Sequence, residues 1–243
     1  MFERVHHQRI AVVLGCLDAP LLRRHSCLFG GGTAIALRFG EYRESVDIDF
    51  LVSDLSCYRD LREMLTQSSG LSAIFLRGQR AVNQVGALRA DQYGVRTRLE
   101  VAGTEIKFEI VHEGRIALDV PGRSDEVLGV STLSTVDLAA SKLLANSDRW
   151  ADDGIFSRDI IDLAMMSPTP KALSAAIAKA EVAYASAIRT DAKKALARLA
   201  DREKWLERCM STMRMDLPKA SVVHRLRRLQ RLLASEEGAG VAD

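Results

Sequence analysis

A run of glycines and a pair of aspartates stand close together near the start of this chain. The glycine run 30–32 leads into Thr33, and after thirteen intervening residues Asp47 and Asp49 form an Asp-x-Asp pattern. Glycine N–H groups at the start of a helix bind phosphate oxygens, and paired carboxylates bind the Mg²⁺ that accompanies phosphates. Either pattern alone is common without function, because glycines often only connect two elements and paired acids often lie on a solvated sheet face. Their order and spacing together indicate chemistry on a nucleoside triphosphate.

The elements around these residues are predicted to bring them together. Residues 26–29 predict a short buried strand that runs into the glycines, and a helix follows with Thr33 as its N-cap and Gly40 as its end. The segment VDIDFLV predicts a second strand, and strand alternation puts Asp47 and Asp49 on one face of it. A buried face with two acids calls for a counter-ion, and a divalent cation is a suitable one.

The rest of the first half predicts two further helices, over residues 2–22 and 58–67, and an antiparallel strand pair. The pair is formed by TRLEV and TEIKFEIV, which are joined by a turn at Ala102 and Gly103. In the second strand, apolar and charged side chains alternate between the two faces. The apolar face has Ile106, Phe108 and Ile110, and the charged face has Glu105, Lys107 and Glu109.

The second half has helical spacing throughout. Ser134 and Ser157 are predicted N-caps, and the predicted units are 1–125, a helical unit 126–235 and a disordered tail 236–243. The last predicted helix combines an apolar stripe with a basic surface, which suits contact with RNA phosphates, docking of an acidic protein, or plain solvation. The stripe is Val222, Leu226, Leu229 and Leu233, and the basic residues are Arg225, Arg227, Arg228 and Arg231.

Composition excludes several classes of protein. The 243 residues are 47% hydrophobic and 27% charged, with a net charge of +2, which is the balance of a globular protein rather than a disordered or membrane protein. The slight positive charge does not by itself indicate nucleic-acid binding. The four cysteines are widely scattered, so neither a zinc site nor a disulfide framework is expected, and a cytoplasmic protein without membrane contact is predicted.

The segment FGGGTAIALRFGEYRESVDIDFLV resembles the first motif of the AbiEii/AbiGii-type toxin nucleotidyltransferases, a branch of the DNA polymerase β-like superfamily. The resemblance implies an α+β fold. A polymerase β-like mixed sheet flanked by helices would form the nucleotidyltransferase core, 1–125, and a helical domain, 126–235, would complete the cleft.

The same resemblance implies roles for individual residues of the core. The turn of Gly31, Gly32 and Thr33 would contact the phosphates, and Asp47 and Asp49 would hold the metal. Arg38 would reach phosphate, pair with an acid, or lie on the surface.

A third carboxylate of the superfamily would help deprotonate the attacking hydroxyl or complete a second metal site. Glu109 is the candidate for this role because it follows Lys107 and Phe108 as in relatives. Glu100 and Glu105 are the alternatives.

A second motif, SKLLANSDRWADDGIFSRDIIDLAMM, resembles the K...R...RDxxDL signature of the same family. Lys142, Asn146 and Arg149 share one helical stripe, and by resemblance Lys142 would contact the triphosphate or stabilise charge on the transferring phosphate. Asp159 and Asp162 would belong to the same nucleotide site. A helix cap or a salt bridge to Arg149 or Lys142 is the alternative for Asp159.

The activity implied is transfer of a nucleoside monophosphate from a nucleoside triphosphate to a hydroxyl acceptor, with two Mg²⁺ ions and release of pyrophosphate. The resemblance implies an RNA or tRNA acceptor, a cognate antitoxin, and a role as the toxin of a bacterial toxin–antitoxin or phage-defence pair. Transfer to a small molecule such as an aminoglycoside, or to a protein, is an alternative. A non-catalytic module that binds a nucleotide or a partner is the alternative of another class.

Overall fold

The computed structural model describes residues 2–239, and side chains as far as residue 235. It divides into two compact units, 1–134 and 135–243. The division lies beyond the predicted boundary after residue 125, because the chain returns to the first strand region after that point. Thr132 bridges Phe29 in parallel, and the N–H of Leu133 donates to the Phe29 carbonyl at 3.0 Å.

The first unit is built on a mixed sheet, as predicted. Its strand order is β1-β2-β6-β5-β3, with β4 also on β5; β2 and β6 are parallel and the other pairs are antiparallel. A separate hairpin joins β7 and β8. The strands are β1 Leu28–Gly30, β2 Ile48–Val52, β3 Asn83–Gln84, β4 Arg89–Ala90, β5 Gly94–Val101, β6 Thr104–His112, β7 Glu126–Val127 and β8 Val130–Ser131.

The predicted antiparallel pair is confirmed as β5 and β6. Ala102 and Gly103 between them both have positive φ, 48° and 73°, as a two-residue hairpin turn of type I′ requires. The predicted alternation along β6 also holds, with Ile106, Phe108 and Ile110 buried. Aromatic contacts across the central strands anchor this core, because the Phe50 ring lies 5.5 Å from that of Phe29 and 5.7 Å from that of Phe108.

Helices flank the sheet. They are α1 Val5–Cys16, α2 Ala19–Arg24, α3 Gly31–Arg38 and α4 Leu55–Thr66, with a short 3-10 helix Gly70–Ile74. The prediction of one helix over 2–22 is wrong, because Asp18 starts a new helix: its carboxylate accepts the Leu21 N–H at 2.9 Å, and a proline lies in the first turn. The helix predicted over 58–67 begins earlier, after the cap Asp54, which accepts the Cys57 N–H.

The second unit is helical, as predicted. Ser134 directly precedes its first helix, and Ser157 precedes the second, although the Ser157 hydroxyl accepts from Trp205 Nε1 at 3.0 Å instead of capping. Among residues 2–239, no helix is both long and apolar enough to span a membrane. The helices are α5 Thr135–Arg149, α6 Arg158–Met166, α7 Pro170–Tyr184, α8 Ala187–Asp201, α9 Trp205–Thr212 and α10 Lys219–Ala239.

The apolar stripe predicted for the last helix is confirmed, because all four of its residues are buried in α10. Two of the basic residues have structural contacts: Arg225 donates to the Met165 carbonyl at 2.7 Å, and Arg228 donates to the Pro168 carbonyl at 2.9 Å. They satisfy carbonyls at and beyond the end of α6. The helix continues to Ala239, into the segment 236–243 predicted to be disordered, and the rest of that segment lies outside the described residues.

Candidate functional site

The glycine turn joins β1 directly to α3, whose first residue is Gly31. Gly31 has a φ of +67°, which favours glycine, and a Cβ there would overlap the Asp49 carboxylate and lie 3.0 Å from its Cβ. The carboxylate of Asp49 is therefore packed against the first residue of the helix. The N-cap of α3 is Gly30, so the prediction that Thr33 caps this helix is wrong.

Thr33 is instead the third residue of α3, and its side chain is buried. Its hydroxyl donates to the Asp47 carbonyl at 2.5 Å, and its oxygen lies 2.8 Å from Ser45 Oγ. The hydroxyl hydrogen is used to attach the start of α3 to the segment before β2. Contact with a phosphate would then come from the N–H groups of the turn, which the Thr33 hydroxyl holds next to Asp47.

Three candidate carboxylates lie on neighbouring chain segments. Asp47 precedes β2, Asp49 is its second residue, and Glu109 in β6 is the direct register partner of Asp49. Register partners on adjacent strands project to the same face of a sheet, so Asp49 and Glu109 are side by side. Glu100 and Glu105 pair with each other near the hairpin turn, outside the part of β6 that pairs with β2.

The Glu109 carboxylate already has two cationic partners. Arg96 Nε lies 3.1 Å from one oxygen and Lys107 Nζ lies 2.8 Å from the other, and the side chain is 14% exposed. Both carboxylate oxygens are therefore occupied by cations. To accept a proton or bind a metal, Glu109 would exchange one of these partners.

The candidate carboxylates suit a metal ion that takes only part of its ligands from the protein. Within the described part of the chain, no three or more His, Cys, Asp or Glu side chains are grouped so that they could hold one. Mg²⁺ is commonly bound through one or two carboxylates, with substrate phosphates and water as the other ligands. Asp47 and Asp49, next to a turn suited to phosphates, fit that mode of binding and do not form a complete protein cage.

Arg43 is a residue of this region that sequence reasoning missed. It is only 6% exposed, and its guanidinium lies on Gly32, where a Cβ would overlap Nη2 and lie 3.3 Å from Cζ and 3.4 Å from Ser45 Oγ. Its Nη1 donates to the Glu44 carbonyl at 2.9 Å. Gly32 is therefore required for the close approach of a buried cation. An arginine between a glycine turn and an Asp-x-Asp pattern was the available signal.

Arg38, at the end of α3, pairs with an acid, which was one of the three possibilities for this residue. Its guanidinium lies 2.7 Å from Asp125 and donates to Thr132 Oγ1 at 2.9 Å and to the Leu133 carbonyl at 2.7 Å. These contacts connect α3 to residues 125–133. To reach a phosphate, the Arg38 side chain would have to break all three contacts.

The second unit contains a buried ion-pair cluster. Lys142 Nζ lies 2.9 Å from Asp159 and 2.7 Å from Asp162, and Arg149 Nε lies 2.8 Å from Asp159. Burial acts to raise the pKa of Asp159, but Lys142 and Arg149 outweigh it and hold that pKa well below its usual range. The salt bridges considered for Asp159 are thus present.

Asn146 shares the stripe of Lys142 and Arg149, as helical spacing predicted. It is 2% exposed, and its Nδ2 has no hydrogen-bond partner within the described part of the chain. A buried amide without a partner costs free energy. Such a group is a candidate contact for a ligand.

Comparison with known proteins identifies the family. A model of the nucleotidyl transferase AbiEii toxin family, assigned to type IV toxin–antitoxin systems, matches residues 17–234. The chain belongs to the AbiEii family. A comparison with curated proteins found no match.

Two solved structures share the AbiEii-family fold of this chain. One is a crystal structure of a candidate nucleotidyltransferase from H. pylori, with 16% identity, a TM-score of 0.52 and coverage of 97% of both chains. The other is JHP933 from Helicobacter pylori, with 15% identity, a TM-score of 0.52, and coverage of 97% of this chain and 94% of that chain. At these identities the similarity concerns the fold.

Membership of the AbiEii family makes this chain a nucleotidyltransferase. It implies a nucleoside triphosphate substrate and an antitoxin partner. The α+β fold and the family predicted from the two sequence motifs are confirmed, and the matched residues include both motifs.

Because the Arg43 guanidinium lies on Gly32, the effect of alanine at Gly32 on stability should depend on whether Arg43 is present. Gly32→Ala should lower the free energy of unfolding by about 1–2 kcal/mol, because the new Cβ displaces a buried guanidinium. In an Arg43→Ala background the same change should be stabilising, by up to about 1 kcal/mol, because alanine is the better helix former. Urea unfolding of the four proteins would measure this coupling.

Gly15→Ala is the matched control, because Gly15 lies inside α1 with nothing near the position of a new Cβ. It should be stabilising with or without Arg43. Equal effects of Gly32→Ala in both backgrounds would show that the contact has no energetic weight.

Proposed function

We propose that this protein transfers a nucleoside monophosphate from a nucleoside triphosphate to a hydroxyl acceptor in a Mg²⁺-dependent reaction. The observation that carries the proposal is the packing of the Asp49 carboxylate against Gly31, at the start of α3. It brings a metal-binding group and a phosphate-binding turn into direct contact. Thr33 supports it by bonding to the carbonyl of Asp47.

In this proposal, different residues of the first unit bind the phosphates and the metal ion. The N–H groups at Gly31, Gly32 and Thr33 hold the phosphates at the positive end of α3. Asp47 and Asp49 hold Mg²⁺. When bound, Mg²⁺ neutralises the charge that develops on the phosphate oxygens.

The bonds and protons of the proposed reaction balance without a further reactant. The acceptor oxygen forms a bond to the α-phosphorus, the bond from that phosphorus to the bridging oxygen breaks, and pyrophosphate leaves. We assign Glu109 to take the hydroxyl proton, in exchange for Lys107 or Arg96 at its carboxylate. Its register with Asp49 is the support for choosing it over Glu100 and Glu105.

For the second unit, we propose that the cluster around Lys142 binds the nucleotide, as the family resemblance implies. Asp159 and Asp162 hold the Lys142 ammonium in one position, so its charge is preorganised. Arg149 and Asn146 Nδ2, which has no hydrogen-bond partner among the described residues, would supply further donors.

We further propose that the acceptor is RNA, in particular tRNA, and that the protein acts in the bacterial cytoplasm as a toxin, including in phage defence. The exposed side chains of Arg227 and Arg231 on α10 support an RNA acceptor, because no carboxylate among the described side chains pairs with either. Binding through them would be salt-dependent and insensitive to sequence.

A labelling experiment tests the activity and the acceptor together. The protein is incubated with each of the four labelled nucleoside triphosphates, Mg²⁺ and total RNA, and the labelled species are separated by size. We expect label from one preferred nucleotide on tRNA, and its loss when EDTA removes Mg²⁺. Label on protein or on a small molecule would overturn the RNA proposal, and nucleotide binding without any transfer would favour the non-catalytic alternative.

A further inference from the structure

Two consecutive histidines at the start of α1 bind the backbone just before Asp47. Ser45 donates its N–H to His7 Nε2 at 3.1 Å, and His6 Nε2 lies 3.0 Å from the Val46 carbonyl. The two rings therefore contact both residues that lead into the Asp-x-Asp pattern. His7 is completely buried, and His6 is partly exposed.

The partners determine where each ring carries its proton. Because Ser45 donates to Nε2 of His7, that nitrogen is unprotonated, and the proton is on Nδ1, which donates to Glu41 at 2.7 Å. Because His6 Nε2 faces the Val46 carbonyl, that nitrogen carries a proton. His7 thus acts on Ser45 as an acceptor, which only its neutral ring can do.

Glu41 fixes the His7 ring from the other side. Its carboxylate also accepts the N–H groups of Glu3 and Arg4, at 2.8 and 3.3 Å, which attaches the start of α1 to the turn after α3. The Arg4 side chain donates to the Glu41 carbonyl at 3.1 Å. Glu41 has a φ of 49°, in the left-handed region, and these contacts hold it in that conformation.

The contacts continue from Ser45 to the candidate site. Ser45 Oγ lies 2.8 Å from Thr33 Oγ1, which in turn donates to the Asp47 carbonyl. Residues 45–47 are thus held by the two histidines on one side and by Thr33 on the other. A hydrogen-bonded support of this kind commonly changes metal affinity or activity by about 10–100-fold when it is removed.

We propose that His6 and His7 are positioning residues that hold residues 45–46 and thereby set the placement of Asp47. The proposal rests on the proposed function for the importance of Asp47, but not for the contacts themselves. The helix that carries both histidines precedes the family match, which begins at residue 17. The two histidines therefore lie outside the matched region, whereas their partners Ser45 and Val46 lie inside it.

The proposal includes a dependence on pH. Burial lowers the pKa of His7 below its ordinary value, and this outweighs Glu41, which acts to raise it, while Arg4 and His6 also act to lower it. Since the folded-state pKa is depressed, the stabilisation is present above the unfolded value of about 6.5 and is lost as the pH falls below it. Protonation would place an N–H of His7 against the Ser45 N–H.

The test compares His7→Phe, His7→Gln and His6→Phe with the full-length wild type. The readouts are hydrogen exchange of the residue 45–47 amides, the melting temperature, and transfer activity as a function of Mg²⁺ and nucleotide concentration. We expect about 10-fold faster exchange at Ser45 in His7→Phe, and a smaller increase in His7→Gln, whose side-chain carbonyl can accept the Ser45 N–H. Because His6 is partly exposed, His6→Phe tests the support without emptying the core.

The activity readouts separate positioning from a general loss of stability. The histidine variants should need about 10-fold more Mg²⁺ for half-maximal activity, with KM for the nucleotide changed less than about 2-fold. As the pH falls below the lowered pKa of His7, wild type should lose protection at Ser45 relative to His7→Gln at the same pH. His25→Phe is the matched control, because among the described residues the His25 ring bonds only the Leu21 carbonyl in α2, and neither readout should change.

The outcomes distinguish this inference from the proposed function. Unchanged exchange at residues 45–47 in His7→Phe and His6→Phe would overturn the inference, whatever the activity. Faster exchange with an unchanged Mg²⁺ requirement would also overturn it, because the histidines would then not position Asp47. If wild type itself transfers no nucleotide, the proposed function fails, and hydrogen exchange of the residue 45–47 amides in the variants still decides whether the histidines hold that segment.

Discussion

Replacing Asp49 with Asn should lower nucleotide transfer by about 10³-fold or more, with a free energy of unfolding within about 1 kcal/mol of wild type. The amide has nearly the same shape as the carboxylate and can occupy the same place against Gly31. It lacks the negative charge that binds a metal ion. The effect should therefore appear in kcat and in the Mg²⁺ requirement, and urea unfolding should show an intact fold.

Asp54→Asn is the matched control for this change. Asp54 follows the same strand, is exposed, and caps α4 by accepting the Cys57 N–H, a role that asparagine also fills. Its activity should stay within about 2-fold of wild type. If Asp49→Asn retains transfer activity or toxicity in cells, the assignment of Asp49 as a metal ligand is wrong.

Replacing the buried Lys142 with Met should lower the free energy of unfolding by about 3–5 kcal/mol, a larger effect on stability than we expect from the other substitutions. The change removes the ammonium that lies between two buried carboxylates, Asp159 and Asp162. The loss of stability arises because Asp159 and Asp162 stay buried, away from water, with less positive charge beside them. Urea unfolding at neutral pH measures it.

The pH dependence of this loss identifies its cause. The depressed pKa of Asp159 means that the stabilisation is present above its unfolded pKa of about 3.9 and is lost as the pH falls below it. The difference between Lys142→Met and wild type should therefore shrink as the pH falls through that range. A difference that stays constant with pH would indicate lost packing instead of lost charge pairing.

Two further proteins complete the experiment on Lys142. Lys194→Met should change the free energy of unfolding by less than about 1 kcal/mol, because that lysine is half exposed in its pair with Asp191. The triple variant with Asp159→Asn and Asp162→Asn should regain part of the stability lost in Lys142→Met. If Lys142→Met is as stable as wild type but inactive, the lysine acts on the nucleotide and the ion pairs are of little structural weight.

Local signals in the sequence were sufficient for most elements near the candidate site. The glycine run, the Asp-x-Asp strand and the hairpin at Ala102 and Gly103 each depend on backbone preferences over a few residues. The break before α2 was also readable, because Asp18 followed by a proline two residues later is a common helix start. Apolar periodicity over 2–22 concealed it.

The sequence predictions were wrong or incomplete where a side chain bonds to a segment distant along the chain. Thr33 has the right chemistry for an N-cap, yet its hydroxyl donates to Asp47, fourteen residues along the chain. The partners of Arg38 are still more distant, at residues 125–133. Periodicity indicates which face of an element a residue occupies, but not which distant residue its side chain bonds.

By itself, the sequence determined the family, the α+β class, and the order of glycine turn, aspartate strand and helical half. Those features depend on residue types and short spacings. Only the tertiary structure decided that Glu109, rather than Glu100 or Glu105, lies beside Asp49, since a strand register is set by pairing between distant segments. The same reason explains why the contacts of His6 and His7 with residues 45–46 emerged only from the fold.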